Sequence, residues 1–94
     1  MPAGFGERIR LRMPRGYRQK VQGFDSHALE RINGSSRGDG GVSDRALLDA
    51  IRHPLQLIEQ HGRVLVKGKD AWFSIDRNGM IRTALPKSRA GRRY

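Results

Sequence analysis

The chain has no cysteine, so neither a disulfide nor a thiolate zinc site can contribute to its fold or chemistry. It has no apolar run approaching the roughly 18 residues that cross a bilayer, and its opening residues lack the apolar core of a signal peptide. A soluble domain is therefore expected. Acidic residues are scarce: 9 Asp and Glu stand against 19 Lys and Arg, for a net charge of +10 in 94 residues. A chain this short buries only about two-thirds of its unfolded surface and has material for one core. A positive excess of this size attracts polyanions and gains affinity by releasing their counterions. Nucleic acid is therefore the leading partner class, ahead of an anionic membrane or an acidic protein.

The charge is uneven. Residues 7–20 hold Arg8, Arg10, Arg12, Arg15, Arg18 and Lys20 against Glu7 alone, and the tail from Arg82 holds Lys87, Arg89, Arg92 and Arg93 with no acid. Charge runs usually stay solvated, so the last six residues read as a basic arm. Residues 1–23 read as a basic lead-in, with residues 24–94 as the main domain. Within the lead-in, Arg8-Ile9-Arg10-Leu11-Arg12-Met13 alternates charged and apolar residues until Pro14, the period of an edge strand.

Asp25 or Ser26 can cap a first helix of about two turns, with Ala28, Leu29 and Ile32 on its apolar side. Residues 34–41 form a glycine-rich connector, too free in its backbone to hold a helix. The second helix is capped by Ser43. Val42 and Leu47 are placed to staple its entry, Ala46, Leu47, Ala50 and Ile51 form one stripe, and Pro54 stops it at Arg52 or His53. The period then changes. Residues 55–60, 63–67, 71–76 and 80–85 are β-prone runs separated by His61-Gly62, Gly68-Lys69-Asp70 and Arg77-Asn78-Gly79. These elements predict an α+β fold: two N-terminal helices packed on one face of a four- to five-stranded antiparallel meander.

A helix N-terminus gathers unpaired N–H groups and partial positive charge, which favours phosphate. His27 lies in the first turn of the first helix, and imidazole is the side chain best suited to exchanging protons near neutrality. Arg31 follows one turn later, with a planar fork that can grip the same anion. A lone histidine near a helix start is, however, more often structural or merely exposed. His53 abuts Pro54 and His61 falls in a hairpin turn; with no further histidine or paired carboxylate at ligand spacing, no metal site is expected. Lys67 and Lys69 flank Gly68, and Lys87 follows Pro86. They are candidate cations for a charged phosphorus intermediate, although turn lysines commonly serve only solubility. Tyr17, Trp72 and Phe73 are candidate base-stacking platforms. Alternation sends Trp72 and Phe73 to opposite faces, and Phe73 is assigned to the core.

The order of elements, a histidine-led helix (HALERI), a second helix opening on Ser and Asp (VSDRALLDAIRHP) and a meander closing on GMIRTAL, resembles the ribonuclease toxins of the barnase/EndoU/colicin/RelE-like superfamily. It is similar in particular to the C-terminal toxin domains of contact-dependent inhibition and polymorphic toxin systems. The resemblance covers about residues 24–85, and the long glycine-rich connector departs from the shorter links usual there. By this resemblance His27 matches the helix histidine, Arg31 the following basic residue and Thr83 the hydroxyl on the late strand. Lys67, Lys69, Arg82 and Lys87 are candidates for the transition-state cation.

The resemblance implies an endoribonuclease that needs neither metal nor cofactor. It implies RNA, commonly transfer RNA, as substrate, and a heterodimer with an acidic immunity protein that covers the site. It also implies delivery as part of a larger secreted or cell-surface effector, with action in the cytoplasm of a target bacterium. A non-catalytic RNA-binding module and a toxin of the same shape acting on DNA are the alternatives. Charge alone does not separate them.

Overall fold

The computed structural model of the chain describes residues 3–34 and 40–94. Most of the connector anticipated over residues 34–41 therefore lies outside the described residues. The architecture is the expected α+β arrangement, two helices on a five-stranded sheet. In chain order the elements are β1 (Gly23–Phe24), α1 (Ser26–Asn33), α2 (Asp44–Arg52), β2 (Gln56–Gln60), β3 (Arg63–Lys67), β4 (Ala71–Asp76) and β5 (Met80–Pro86), closed by a 3-10 turn at Arg89–Gly91. Among the described residues no helix is long and apolar enough to cross a membrane.

Local chemistry sets the helix ends. The Asp25 carboxylate accepts from the Ala28 N–H at 2.8 Å and starts α1, and the Ser43 hydroxyl accepts from the Ala46 N–H at 3.1 Å and starts α2. Each cap pairs an N–H that the first turn leaves orphaned. Val42 and Leu47, the anticipated staple, are both fully buried.

Strands β2 to β5 form an antiparallel meander in the order β2, β3, β4, β5. The sheet is not purely antiparallel, because β1 pairs in parallel with Met80 and Ile81 at the start of β5. Val64, Val66, Ala71, Phe73, Ile75, Ile81 and Ala84 are fully buried, in one core with Ala28, Ile32, Ala46, Leu47, Ala50 and Ile51 from the helices. Pairing partners in a sheet share a face. The opposite face therefore carries three rows: Gln56, Lys67, Trp72 and Leu85; then Ile58, Leu65, Ser74 and Thr83; then Gln60, Arg63 and Asp76. Neither helix covers that face. At Gly68 the α2 backbone comes so close that an added Cβ would meet Ala50 at 2.6 Å.

Two sequence expectations are corrected. Residues 8–13 are not an edge strand: the segment makes only an isolated bridge from Arg8 to Lys20. The side chain of Gln19 replaces a neighbouring strand there, donating to the Ile9 and Leu11 carbonyls and accepting from the Met13 N–H. Ile9, Met13 and Val21 are buried in the common core, so the lead-in packs on the domain. The tail, expected as a solvated arm, is instead folded back. Arg93 donates to Asp44 at 2.7 Å and to the Ile32 carbonyl, Ser43 donates to the Gly91 carbonyl, and Gly91 is buried. The tail comes so near that a side chain at Gly91 would overlap the Asp70 carbonyl.

A candidate nucleic-acid site between α1 and the open sheet face

Because β1 is only two residues long, the later part of β5 has no strand on its outer side among the described residues, and α1 packs against β5 there. The Asp25 N–H donates to the Ile81 carbonyl at 3.1 Å. Near its other end, Arg31 lines a groove with Trp72, Leu85, Pro86 and Arg92. The helix thus runs in the direction of β5. Four helical residues advance about 6 Å and two strand residues about 6.6 Å. If Arg31 is level with Leu85, His27, one turn back on the same side, is level with Thr83. His27 and Arg31 are both exposed, and Thr83 is half-buried.

The remaining expected residues divide into two sets. Lys67 and Trp72 are cross-strand partners on the open face, and Thr83 lies in the adjacent row opposite Ser74. Lys69 and Lys87 are exposed at the same end of the sheet, where the Lys87 N–H donates to the Asp70 carbonyl at 2.8 Å. With Arg31, Lys67 and Arg92 they surround that end with positive charge. Arg82 is different. It is the extra residue of a bulge between the Ser74–Thr83 and Ile75–Ile81 pairs, and its guanidinium meets the Asp25 carboxylate at 3.1 Å and that of Asp76 at 3.8 Å. A cation held by two carboxylates has less charge to offer a substrate. Its evident work is to tie the start of α1 to the sheet. Tyr17 lies under the Arg77 guanidinium, 5.5 Å from the ring centre, and Phe73 is core, leaving Trp72 as the half-buried aromatic of the open face.

No family model, curated protein or solved structure matches the chain.

The structure also brings in residues that the sequence did not single out. Arg92 reaches the α1 groove only because the tail folds back, a long-range event without a local sequence signal. On the other side of Trp72, a second groove of about 520 Å³ is lined by Gln60, His61, Arg63, Leu65 and Ser74. The Ser74 hydroxyl is buried and has no hydrogen-bond partner among the described residues. Its strand alternation with Trp72 was the signal available for finding it. Among the described residues no three His, Asp or Glu side chains gather in a metal-binding cluster.

One ionic cluster secures the tail. The Asp70 carboxylate accepts from Arg45 at 2.8 Å and from the Ser88 hydroxyl at 3.0 Å. Those two hydrogen bonds, with the charges of Arg45 and Lys69 assisting, hold its pKa below the ordinary aspartate value against the opposing effect of burial. A carboxyl depressed in the folded state contributes stability above its unfolded pKa and loses it as pH falls through the folded one. Wild type is therefore expected to be more stable than Asp70→Asn at pH 7. Acidification below the ordinary aspartate range should close the gap, as measured by thermal melts across pH.

Proposed function

We propose that the domain is an endoribonuclease toxin that cleaves RNA, transfer RNA foremost, by 2′-OH transesterification without a metal ion, and that an acidic immunity protein neutralises it. The observation that carries this reading is the course of α1 along the open part of β5. It brings Arg31 to one groove with Trp72 and Leu85, and His27, one turn earlier on the same helix, is taken to act beside Thr83, with Lys67 across the strand from Trp72.

The chemistry requires few parts. A base removes the proton from a ribose 2′-oxygen, which forms a bond to the adjacent phosphorus. The bond from phosphorus to the 5′-oxygen breaks, an acid protonates that oxygen, and a 2′,3′-cyclic phosphate remains. His27 supplies one of the two proton-transfer roles. Arg31 and Lys67 hold the phosphate and offset the charge that develops on its oxygens, and Thr83 donates a hydrogen bond to one of them. Lys69, Lys87 and Arg92 extend the positive rim along the RNA backbone. The +10 charge that attracts RNA also favours an inhibitor of opposite sign. Such a domain would travel as part of a larger effector and act in the cytoplasm of a target cell.

The test is incubation of the purified protein with total RNA in excess EDTA. Discrete fragments ending in 2′,3′-cyclic phosphate are expected. Intact RNA that nevertheless binds tightly would make the domain a binding module, and cleavage of DNA only with added magnesium would make it a different nuclease.

A further inference from the structure

The second groove contains a polar group for which the fold gives no reason. Ser74 is nine-tenths buried, its hydroxyl has no partner among the described residues, and it lines a groove open to solvent. A hydroxyl left this way stands ready for a ligand that supplies the missing hydrogen bond. Beside it is the half-buried Trp72, an aromatic surface that a flat ring can cover. At the rim are Arg63 and His61, and the Gln60 amide completes the polar lining. His61 also holds a left-handed backbone, φ 51°, in the two-residue turn joining β2 and β3, a conformation that the turn more often assigns to asparagine or glycine. The groove's size lies within the roughly 300–1,000 Å³ of small-molecule sites.

We propose that this groove is a nucleobase subsite. One unpaired base stacks on the Trp72 indole, its polar edge meets the Ser74 hydroxyl and the Gln60 amide, and its phosphate lies at Arg63. Trp72 lines both grooves. A base seated on its far side would therefore leave the neighbouring phosphodiester directed toward Arg31 and Thr83. The inference deepens the ribonuclease reading and rests on it for the identity of the polymer, but base binding can be measured without cleavage.

Trp72 is the only tryptophan in the chain, so its emission reports on ligands in either groove it lines, and the Ser74 and Arg63 variants assign the signal to this one. The probes are the four ribonucleoside 3′-monophosphates, with ribose 5-phosphate and inorganic phosphate as base-free controls. Saturable quenching is expected with at least one nucleotide and not with the controls. Ser74→Ala should weaken that nucleotide about three- to tenfold, the scale of one hydrogen bond, and reduce discrimination among the four bases. Arg63→Gln should weaken all four alike and lessen the salt dependence of binding. Circular dichroism establishes that both variants are folded. Absence of quenching by every nucleotide, equal quenching by ribose 5-phosphate, or unchanged binding and base preference in folded Ser74→Ala would overturn the subsite. RNA cleavage without such quenching removes the subsite and leaves the ribonuclease, whereas quenching with intact RNA does the reverse.

Discussion

Replacing His27 by alanine is expected to lower the single-turnover rate of RNA cleavage about 10²- to 10⁴-fold, the usual contribution of a positioned proton-transfer group. His27 is exposed on α1 and contributes nothing to the core, so the variant should melt close to wild type. It should also bind a 2′-O-methyl oligonucleotide, which cannot be cleaved, with nearly unchanged affinity. Loss of rate with retained fold and binding is the signature of chemistry. Arg31→Ala should act differently, weakening binding as well as rate, because a guanidinium that grips phosphate in the ground state is missed there too. His53→Ala provides the control: His53 is exposed at the end of α2, where it lines a depression with Arg45 and Arg52, and its removal should leave the rate unchanged. If His27→Ala cleaves as fast as wild type, the helix histidine has no part in the reaction.

The largest effect on stability is expected at the residue next to Trp72. Phe73 is fully buried, the largest such side chain in the core, packed between the sheet and the helices. Phe73→Ala should cost about 3–5 kcal/mol, combining lost transfer energy with the cavity left behind. Domains of this kind are stable by only about 5–15 kcal/mol, so the loss would bring the folded state near its limit and should appear as a large fall in urea midpoint. Trp72, one position along and on the other face, is half-exposed. Trp72→Ala should therefore change the urea midpoint far less and instead weaken RNA binding, by about 1–3 kcal/mol if one base stacks on it. Neighbouring aromatics with opposite consequences would test the assignment of the two faces.

That the two point to opposite faces was legible in the sequence because strand alternation is a local property; which face is buried depends on how the helices pack. The ends of β3 and β4, the Ser43 cap and the stop before Pro54 were legible for the same reason: each depends on residues within a turn or two. The departures all arise from contacts between distant segments. An alternating run at residues 8–13 resembles a strand until Gln19 takes up its backbone groups. A basic tail resembles a solvated arm until Arg93 finds Asp44 and Gly91 meets Asp70. Arg82 reads as a free cation until a bulge brings it to Asp25 and Asp76. Of the candidate site, His27, Arg31 and Lys67 could be named from residue type and element, and Thr83 only from the resemblance. The groove at Arg31 depends on α1 lying along β5, and the groove at Ser74 on the register of three strands.

The central claim is that phosphodiester is held between the exposed side of α1 and the open sheet face. Its most direct test is a chemical-shift titration of isotope-labelled protein with a short 2′-O-methyl oligonucleotide. The largest perturbations are expected at His27, Arg31, Lys67, Trp72 and Thr83, with the arginine-rich segment from Arg8 to Lys20 changing little. Perturbations confined to that N-terminal segment, with α1 and β5 unmoved, would contradict it.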